Sequence, residues 1–284
     1  MAILGAHISI AGGYHKAVQK ARTLGCDCLQ LFTKNSNQWR AKEISPEEAG
    51  RFRAALTELG ISHPVAHDSY LINLASPDKA LWRKSADAFV IELQRADMLG
   101  IPYVIAHPGA YISGSEAGGL RRVIRALDRI HAQTHGIQAI PLLETTAGQG
   151  TSLGWQFEQL AAISTGVKDP HRLGLCFDTC HVFAAGYPLG TQDDYEATMH
   201  ALDSLVGIGR IKAFHLNDSR RGLGSRIDRH AHVGRGQMGL EPFRLLLNDP
   251  RFFHVPMYLE TPKGQENGVD FDAVNLKTLR SLSR

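Results

Sequence analysis

Short apolar runs alternate with longer stretches of helical periodicity along the whole chain. Each run is bounded by glycine, proline or polar residues, a pattern that is typical of buried strands. Eight such runs predict strands at residues 2–7, 26–32, 61–67, 101–107, 138–144, 173–178, 210–215 and 255–260. Helices are predicted between them at residues 14–23, 45–59, 76–99, 115–134, 157–164, 195–205, 240–248 and 271–282.

Local residue preferences support the helix boundaries. Ser45 is a favourable N-cap, Pro46 fits the first turn, and Gly60 ends the same helix. The next long helix begins at residues 76–78 and presents an apolar stripe to the core. The members of this stripe are Leu81, Ala88, Phe89, Leu93, Ala96 and Leu99.

The regular alternation of strands and helices predicts the fold class. Parallel strands need crossover connections, and the helices supply them. Eight strand–helix units in 284 residues predict an α/β fold, a (β/α)8 TIM barrel that occupies residues 1–284 as a single domain. The main alternative is a doubly wound open sheet. Its glycine-rich G-x-G-x-x-G turn is missing after the first strand, because Ala11-Gly12-Gly13 does not supply it.

Composition narrows the class of protein. The chain is 43% hydrophobic and 21% charged, as in many soluble enzymes, and its net charge of +3 permits a nucleic-acid partner without requiring one. Its four cysteines, Cys26, Cys28, Cys176 and Cys180, form no C-x-x-C pair. No apolar run approaches the roughly 18 residues that span a bilayer, and the first residues lack a signal-peptide pattern. We therefore expect a cytoplasmic protein with no membrane partner.

Residues of the type that bind metals stand at the ends of the last six predicted strands. These residues are His67, His107, Glu144, Asp178, His215 and Glu260. All strands of a parallel barrel end at the same mouth, where active sites of this fold lie, so the six side chains should form a ring. His181 follows Asp178 by three residues, and the pair Asp228 and His230 lies in the loop after strand seven, which brings the set to nine.

Each of these residues has a simpler explanation when it is taken alone. Asp178 can cap the helix that follows it, and His181 can be an incidental loop histidine. Nine carboxylates and imidazoles together, however, would repel one another in a partly desolvated site without cations. A mixture of His, Asp and Glu without cysteine suits Zn²⁺ or Mn²⁺, with positions left open for water. Three ions that share a bridging carboxylate would use all nine ligands.

Clustered ions favour phosphoryl chemistry. One ion lowers the pKa of a bound water from ~15.7 towards ~7, and its neighbours neutralise the phosphate oxygens and the departing oxygen. Neither a Ser-His-Asp elbow nor a P-loop is visible as a competing site. His7, at the end of the first strand, is predicted to hydrogen-bond a ligand or to pack beside it rather than to act as a tenth ligand.

The segments around these residues resemble a known family, the metal-dependent apurinic/apyrimidinic endonucleases called endonuclease IV. The matching segments are GAH at 5–7, FTKN at 32–35, HDSYLINL at 67–74, HPG at 107–109, LETTAGQG at 143–150, FDTCH at 177–181, HLNDS at 215–219, DRH at 228–230 and LETP at 259–262. They cover essentially the whole chain in the family's order, and several are long enough to be specific.

The resemblance implies a (β/α)8 barrel with three zinc ions, with Mn²⁺ as an alternative at one site. The first ion would be held by His67 and His107, the second by Asp178, His215 and Glu260, and the third by His181, Asp228 and His230, with Glu144 shared by the first two. Glu144 and Glu260 are the implied catalytic residues. A hydroxide between the first two ions would attack the phosphate 5′ to an abasic site in double-stranded DNA. The implied products are a 3′-hydroxyl and a 5′-deoxyribose phosphate.

The same resemblance implies how damaged DNA is read and suggests a monomer. Tyr70 and Leu71 occupy the family's wedge position, where apolar side chains offset the cost of unstacking bases; without the family, loop packing is the simpler interpretation. Asn37 is a departure, because the best-known members have an arginine there, and Lys34 or Arg40 is expected to compensate. Phosphate contacts, which weaken with added salt, are predicted from Arg220, Arg221, Arg226 and Arg229.

Two other functions are compatible with such a barrel. A sugar isomerase or epimerase also holds divalent metal at this mouth, but it needs fewer ions and ligands. The third ligand set, His181 with Asp228 and His230, argues against that function. A non-catalytic binder of damaged DNA has no need of nine ligands. We therefore predict a DNA-repair endonuclease.

Overall fold

Eight parallel strands form a closed barrel in the computed structural model, which describes residues 2–284. Each strand pairs with its neighbours in chain order, and the last strand pairs with the first. The strands are β1 (Leu4–His7), β2 (Cys28–Phe32), β3 (Ser62–His67), β4 (Tyr103–Ala106), β5 (Ile140–Glu144), β6 (Gly174–Asp178), β7 (Ile211–His215) and β8 (Met257–Leu259). The predicted (β/α)8 TIM barrel is confirmed, and the closed sheet excludes the open doubly wound alternative.

Helices surround the barrel. Within residues 2–284 they are α1 (Tyr14–Leu24), α2 (Pro46–Leu59), α3 (Lys79–Leu99), α4 (Glu116–Gln133), α5 (Phe157–Gly166), α6 (Thr179–Ala185), α7 (Gln192–Leu205), α8 (Glu241–Leu247) and α9 (Phe271–Leu282). Two short antiparallel pairs join Asp218–Ser219 to His230–Ala231 and Gln265–Glu266 to Val269–Asp270. Among residues 2–284, none of the helices combines the length and the apolar composition needed to cross a membrane.

The ends of α2 show how local chemistry sets a boundary. The Ser45 hydroxyl accepts a hydrogen bond from the Glu48 backbone N–H at 3.2 Å, and the Glu48 carboxylate accepts one from the Ser45 N–H. This reciprocal capping box satisfies two N–H groups that the helix itself leaves unpaired. At the other end Gly60 adopts a φ of 64°, a left-handed conformation that glycine reaches without a Cβ penalty. Both predicted ends of this helix are confirmed.

Some boundaries differ from those predicted. His107 and Glu260 lie immediately after β4 and β8 rather than within them. Helix α7 begins earlier than predicted, because the Thr191 hydroxyl caps it by accepting from the Asp194 N–H at 3.1 Å. Helix α6 is absent from the predicted helices. It has only seven residues, too few to show a helical period, and it starts directly at the end of β6.

The barrel interior explains how distant residues meet. Alternate side chains of a strand point to the same face, so every second residue points into the barrel. One interior cluster is apolar and consists of Cys28, Val65, Ile105, Leu142, Cys176, Ala213 and Tyr258. Two residues further along the chain from each member of this cluster come Gln30, His67, His107, Glu144, Asp178, His215 and Glu260. A polar layer therefore lies on the apolar one, towards the carboxyl ends of the strands.

Candidate metal centre

Glu144, at the end of β5, is the centre of a first group of donor atoms. Its Oε2 lies 3.2 Å from His67 Nε2 and 3.1 Å from His107 Nε2. The other ring nitrogen of His67 donates to the Asp68 carbonyl at 3.1 Å, which leaves the Nε2 lone pair for the group. Glu144 is fully buried, whereas the His107 side chain is 40% exposed, so the group is accessible from one side.

The second oxygen of Glu144 belongs to a second group. Glu144 Oε1 lies 2.8 Å from His215 Nδ1. The same nitrogen lies 3.3 Å from Glu260 Oε2 and 3.7 Å from Asp178 Oδ2. Three carboxylates therefore surround one imidazole nitrogen, and Glu144 connects this group to the first.

A third group forms between α6 and the loop after β7. Asp228 Oδ1 lies 3.2 Å from His181 Nε2 and 3.4 Å from His230 Nε2. The two histidine nitrogens are 3.3 Å apart. Asp178 Oδ2 lies 3.8 Å from His230 Nε2, so Asp178 connects the second and third groups. The structure thus brings all nine predicted ligands to one mouth of the barrel, in three connected groups.

The hydrogen bonds of the third group test whether a cation fits there. His181 Nδ1 donates to the Thr145 carbonyl at 2.9 Å, and His230 Nδ1 donates to the Glu260 carbonyl at 3.2 Å. When the two rings are neutral, both Nε2 atoms therefore carry lone pairs, yet they face each other and the Asp228 carboxylate. A group made only of acceptors repels itself unless a cation lies among its atoms. The donors fit a divalent ion.

The spacing of the donors agrees with metal geometry. A tetrahedral zinc ion with bonds of about 2.0–2.1 Å places its ligand atoms about 3.3–3.4 Å apart. The three separations in the third group are 3.2, 3.3 and 3.4 Å, and those between Glu144 and its two histidines in the first group are 3.2 and 3.1 Å. The residues at this mouth therefore form a multi-metal site.

The electrostatics of the site point the same way. Burial opposes protonation of His181, but the carboxylates of Asp178 and Asp228 outweigh burial and raise its pKa well above the ordinary value. Burial likewise opposes ionisation of Glu144, whereas His215 and His107 hold its pKa well below the usual range. Positive charge is thus strongly favoured among these carboxylates, and divalent ions supply it.

Asp178 has two roles that the sequence presented as alternatives. Its Oδ1 caps α6 by accepting from the His181 backbone N–H at 2.8 Å. Its Oδ2 lies in the second and third donor groups and also accepts from Asn217 Nδ2 at 2.7 Å. His181 lies within α6 and is buried, so it is not a loop histidine. The cap therefore orients the carboxylate for the site.

Other residues hold the donors in place. His7 lies beside Glu260, with 3.5 Å between its Nδ1 and Glu260 Oε1, and not among the three groups. Sequence reasoning missed Gln30 and Asn217. Gln30 contacts both His215 and Glu260, and its position two residues after Cys28 was an available signal. Asn217 accepts from the Glu260 backbone N–H at 2.9 Å, but its irregular loop carries no periodic pattern.

The predicted DNA-reading residues lie in the loops after β2 and β3. Tyr70 is 68% exposed, and its ring packs edge-on against Phe32 with 5.4 Å between centroids. Leu71 is half-buried. Asn37 is exposed, and its backbone N–H donates to Asn35 Oδ1 at 2.9 Å. An aromatic side chain thus projects beside the metal-type donors.

Two of the predicted DNA-contacting cations are engaged within the protein. Lys34 Nζ lies 3.0 Å from Glu92 Oε1, and the lysine side chain is only 4% exposed. A phosphate contact would require this buried pair to open, so the structure argues against the predicted contact of Lys34 with DNA. Arg226 lies 3.9 Å above the Trp155 ring, which restricts its reach. Arg229 is exposed in the same loop.

Comparison with known proteins agrees with this geometry. Residues 18–279 match the family model for the xylose isomerase-like TIM barrel. A Citrifermentans bemidjiense protein named "Probable endonuclease 4" is 50% identical over 282 residues, which are 99% of this chain and 99% of that protein. The "Probable endonuclease 4" of Chloroflexus aggregans is 52% identical over 280 residues, 99% of this chain and 97% of its own.

Two solved structures share the fold of this chain, but only one of them is also similar in sequence. The crystal structure of endonuclease IV from Thermus thermophilus has a TM-score of 0.85 and 38% identity over 98% of both chains. A D-psicose 3-epimerase has a TM-score of 0.67 over 98% of this chain and 94% of its own, but its 15% identity shows a shared fold alone. Full-length identity near one half to the curated relatives confirms the resemblance seen in the motifs. The chain therefore belongs to the endonuclease IV family of nucleases, built on the xylose isomerase-like TIM barrel.

Proposed function

We propose that this protein is a DNA-repair endonuclease that hydrolyses the phosphodiester 5′ to an abasic site in duplex DNA, leaving a 3′-hydroxyl and a 5′-deoxyribose phosphate. The observation that carries the proposal is the convergence of three donor groups at one mouth, connected through Glu144 and Asp178. Such a cluster suits the displacement of one oxygen by another at phosphorus, because both oxygens and the phosphate carry negative charge. The relatives named endonuclease support the same reaction class.

In this proposal three of the four carboxylates have separate tasks. Glu144 presents Oε2 to the first group and Oε1 to the second, so its carboxylate would be shared by the ions that these two groups hold. Glu260 presents Oε2 to the second group. Bound ions would lower the pKa of water from about 15.7 towards about 7, supply the nucleophile at neutral pH and neutralise the phosphate. Asp228, with His181 and His230, would hold the third ion, whose positive charge would stabilise the departing 3′-oxygen.

We propose three zinc ions, one for each donor group. Imidazole and carboxylate donors at separations near 3.3 Å suit tetrahedral zinc in the first and third groups. The second group contains three carboxylates, from Glu144, Asp178 and Glu260, and oxygen-rich sites suit Mn²⁺. Mn²⁺ is therefore the alternative at that position. Metal counting by mass spectrometry on the purified protein tests the total of three.

We also propose that residues 1–284 act as one domain and as a monomer in the cytoplasm. All three donor groups come from a single chain, so the site is complete without a partner subunit. The proposed substrate is chromosomal DNA, which lies in the cytoplasm of bacteria such as those of the two relatives. Sedimentation of the purified protein tests the oligomeric state, and the mass of a dimer would contradict the monomer.

The decisive experiment is incision of a labelled duplex that contains one stable abasic analogue, resolved on a denaturing gel. The proposal expects one nick on the 5′ side, with about three metals counted in the same sample. Tight binding of the abasic duplex without a nick would favour a non-catalytic damage binder. Turnover of free ketoses without a nick would favour a sugar epimerase.

Replacing Asp228 by alanine separates the nuclease from the epimerase. The third group would keep two imidazoles and only the Asp178 carboxylate, which it shares with the second group. We therefore expect the loss of one ion per chain and a fall in incision of about 100-fold, about 2.7 kcal/mol. Metal counting and the gel assay measure both effects. Asp193→Ala, which removes an exposed carboxylate on α7, is the matched control. If Asp228→Ala incised at the wild-type rate, the third ion would have no role in the reaction.

Replacing Tyr70 by alanine tests whether this side chain contributes to recognition of the abasic site. The exposed ring supports little of the core, so melting temperature and metal content should not change. Stacking of an aromatic side chain on a base is worth about 1–3 kcal/mol, so binding of the abasic duplex should weaken about 10-fold or more. Phe253→Ala removes a half-exposed aromatic ring before β8, at the opposite end of the barrel, and serves as control. Equal affinities for the two variants would refute the wedge.

A further inference from the structure

Gln30 is the unusual member of the polar layer inside the barrel. It lies in β2, is fully buried and follows Cys28 of the apolar layer by two residues. At the equivalent position every other barrel strand presents an ionisable side chain. A buried polar group destabilises the fold unless its hydrogen bonds are satisfied. The amide of Gln30 must therefore find its partners among these ionisable groups.

All the hydrogen-bonding atoms of the Gln30 amide face the site. Its Oε1 lies 2.7 Å from His215 Nε2. Its Nε2 lies 2.8 Å from His7 Nδ1 and also donates to Glu260 Oε1. The carboxylate determines which way the amide points, because an ionised carboxylate only accepts and must face the NH₂ group. The amide oxygen must then face His215.

This orientation determines the tautomer of His215. An oxygen at 2.7 Å requires a proton on His215 Nε2, so a neutral ring carries its lone pair on Nδ1. Nδ1 is the atom that faces Glu144 Oε1 at 2.8 Å and Glu260 Oε2 at 3.3 Å. The bond to Glu260 Oε1 likewise leaves Oε2 as the oxygen directed at the second group. One amide thus orients two donors of the same group.

We propose that Gln30 is a positioning residue, which holds His215 in its Nε2–H tautomer and Glu260 in its rotamer, so that the second ion binds donors already in place. Only a side chain that donates and accepts at once can bond both partners: a carboxylate would repel Glu260, and a cation would compete with the ion. The inference rests on the proposed function only in that ions bind at this mouth. Hydrogen bonds behind metal ligands raise metal affinity by about 10–100-fold.

The test is replacement of Gln30 by methionine, which keeps the length and the packing of the side chain and removes all three hydrogen bonds. We titrate the metal-loaded variant with a competing chelator. We expect its affinity for the most weakly held ion to be about tenfold lower than that of the wild type. The ring N–H proton of His215, followed by NMR, should exchange with solvent faster. Gln159→Met is the matched control, since Gln159 is equally buried but bonds the Gly154 N–H.

The control variant Gln159→Met should keep its ions, although its melting temperature should fall about as much as that of Gln30→Met. Gln30→Glu keeps an acceptor for His215 beside Glu260, so it should retain the slow N–H exchange and still lose metal affinity. This variant also decides the question if Gln30→Met does not fold. Unchanged metal affinity in either folded variant would overturn the proposal. None of these measurements uses DNA, so an inactive protein with tightly bound ions would refute the proposed function and leave the role of Gln30 intact.

Discussion

Alanine in place of Glu144 is expected to lower the rate of incision at an abasic site at least about a thousand-fold, the effect of losing about 4 kcal/mol of transition-state stabilisation. Both oxygens of this carboxylate are used. Oε2 faces His67 and His107, and Oε1 faces His215. Removing them weakens two donor groups at once, so the bound metal should fall from three ions towards one. Single-turnover incision and metal counting on one sample measure both effects.

Glu144→Gln separates the charge of this side chain from its shape. An amide nitrogen has no lone pair for a metal, so one of the two groups loses its oxygen while the other keeps one. We expect a metal content between those of the wild type and the alanine variant. Glu158→Ala, which removes an exposed carboxylate on α5, should incise normally. Near-normal incision by Glu144→Ala would refute the bridging role.

Removal of the ions is expected to abolish incision and to destabilise the fold. When the free concentration of an ion is 1,000 times its Kd, binding of that ion stabilises the native state by about 4 kcal/mol. Without ions, the buried carboxylates at the barrel mouth lose the divalent positive charge that neutralises them, which adds to that loss. We expect the melting temperature to fall by at least about 10 °C after chelation. Calorimetry before and after chelation measures the change.

Reloading identifies the ion that the site prefers. Zn²⁺ should restore both incision and melting temperature, because the donors include five imidazoles. Mg²⁺ should restore neither, since it prefers oxygen ligands in octahedral geometry. The Asp228→Ala variant should lose less stability on chelation, because it starts with one ion fewer. An unchanged melting temperature after complete metal removal would contradict the structural role of the ions.

Most of the barrel could be predicted because its elements are locally encoded. Apolar runs bounded by glycine and proline predicted all eight strands, and Ser45 and Gly60 marked both ends of α2. The errors arose where local signals are weak. Helix α6 is too short for a periodic pattern, and the side chain that caps it, Asp178, is the last residue of a strand. The Thr191 cap of α7 lies outside any apolar stripe.

The composition of the candidate site was also largely predictable. In a parallel barrel every strand end lies at one mouth, so polar residues such as His67 and Glu260 at strand ends must approach one another. The division of the ligands into three ion groups came from the family resemblance rather than from spacing. Gln30 was missed because it lies within its strand and not at the end. Lys34 looked accessible in a polar loop, but it is buried against Glu92.

The sequence by itself determined the order of strands and helices, the ring of ligand-type residues and the family, because these depend on local pattern and on motifs. Only the tertiary structure decided which atoms share a site. The distances from Glu144 to His67 and His215 follow from barrel closure, which joins residues far apart in the chain. It likewise decided the tautomer implied for His215 and the burial of Lys34, since both depend on partners that approach from other strands and helices.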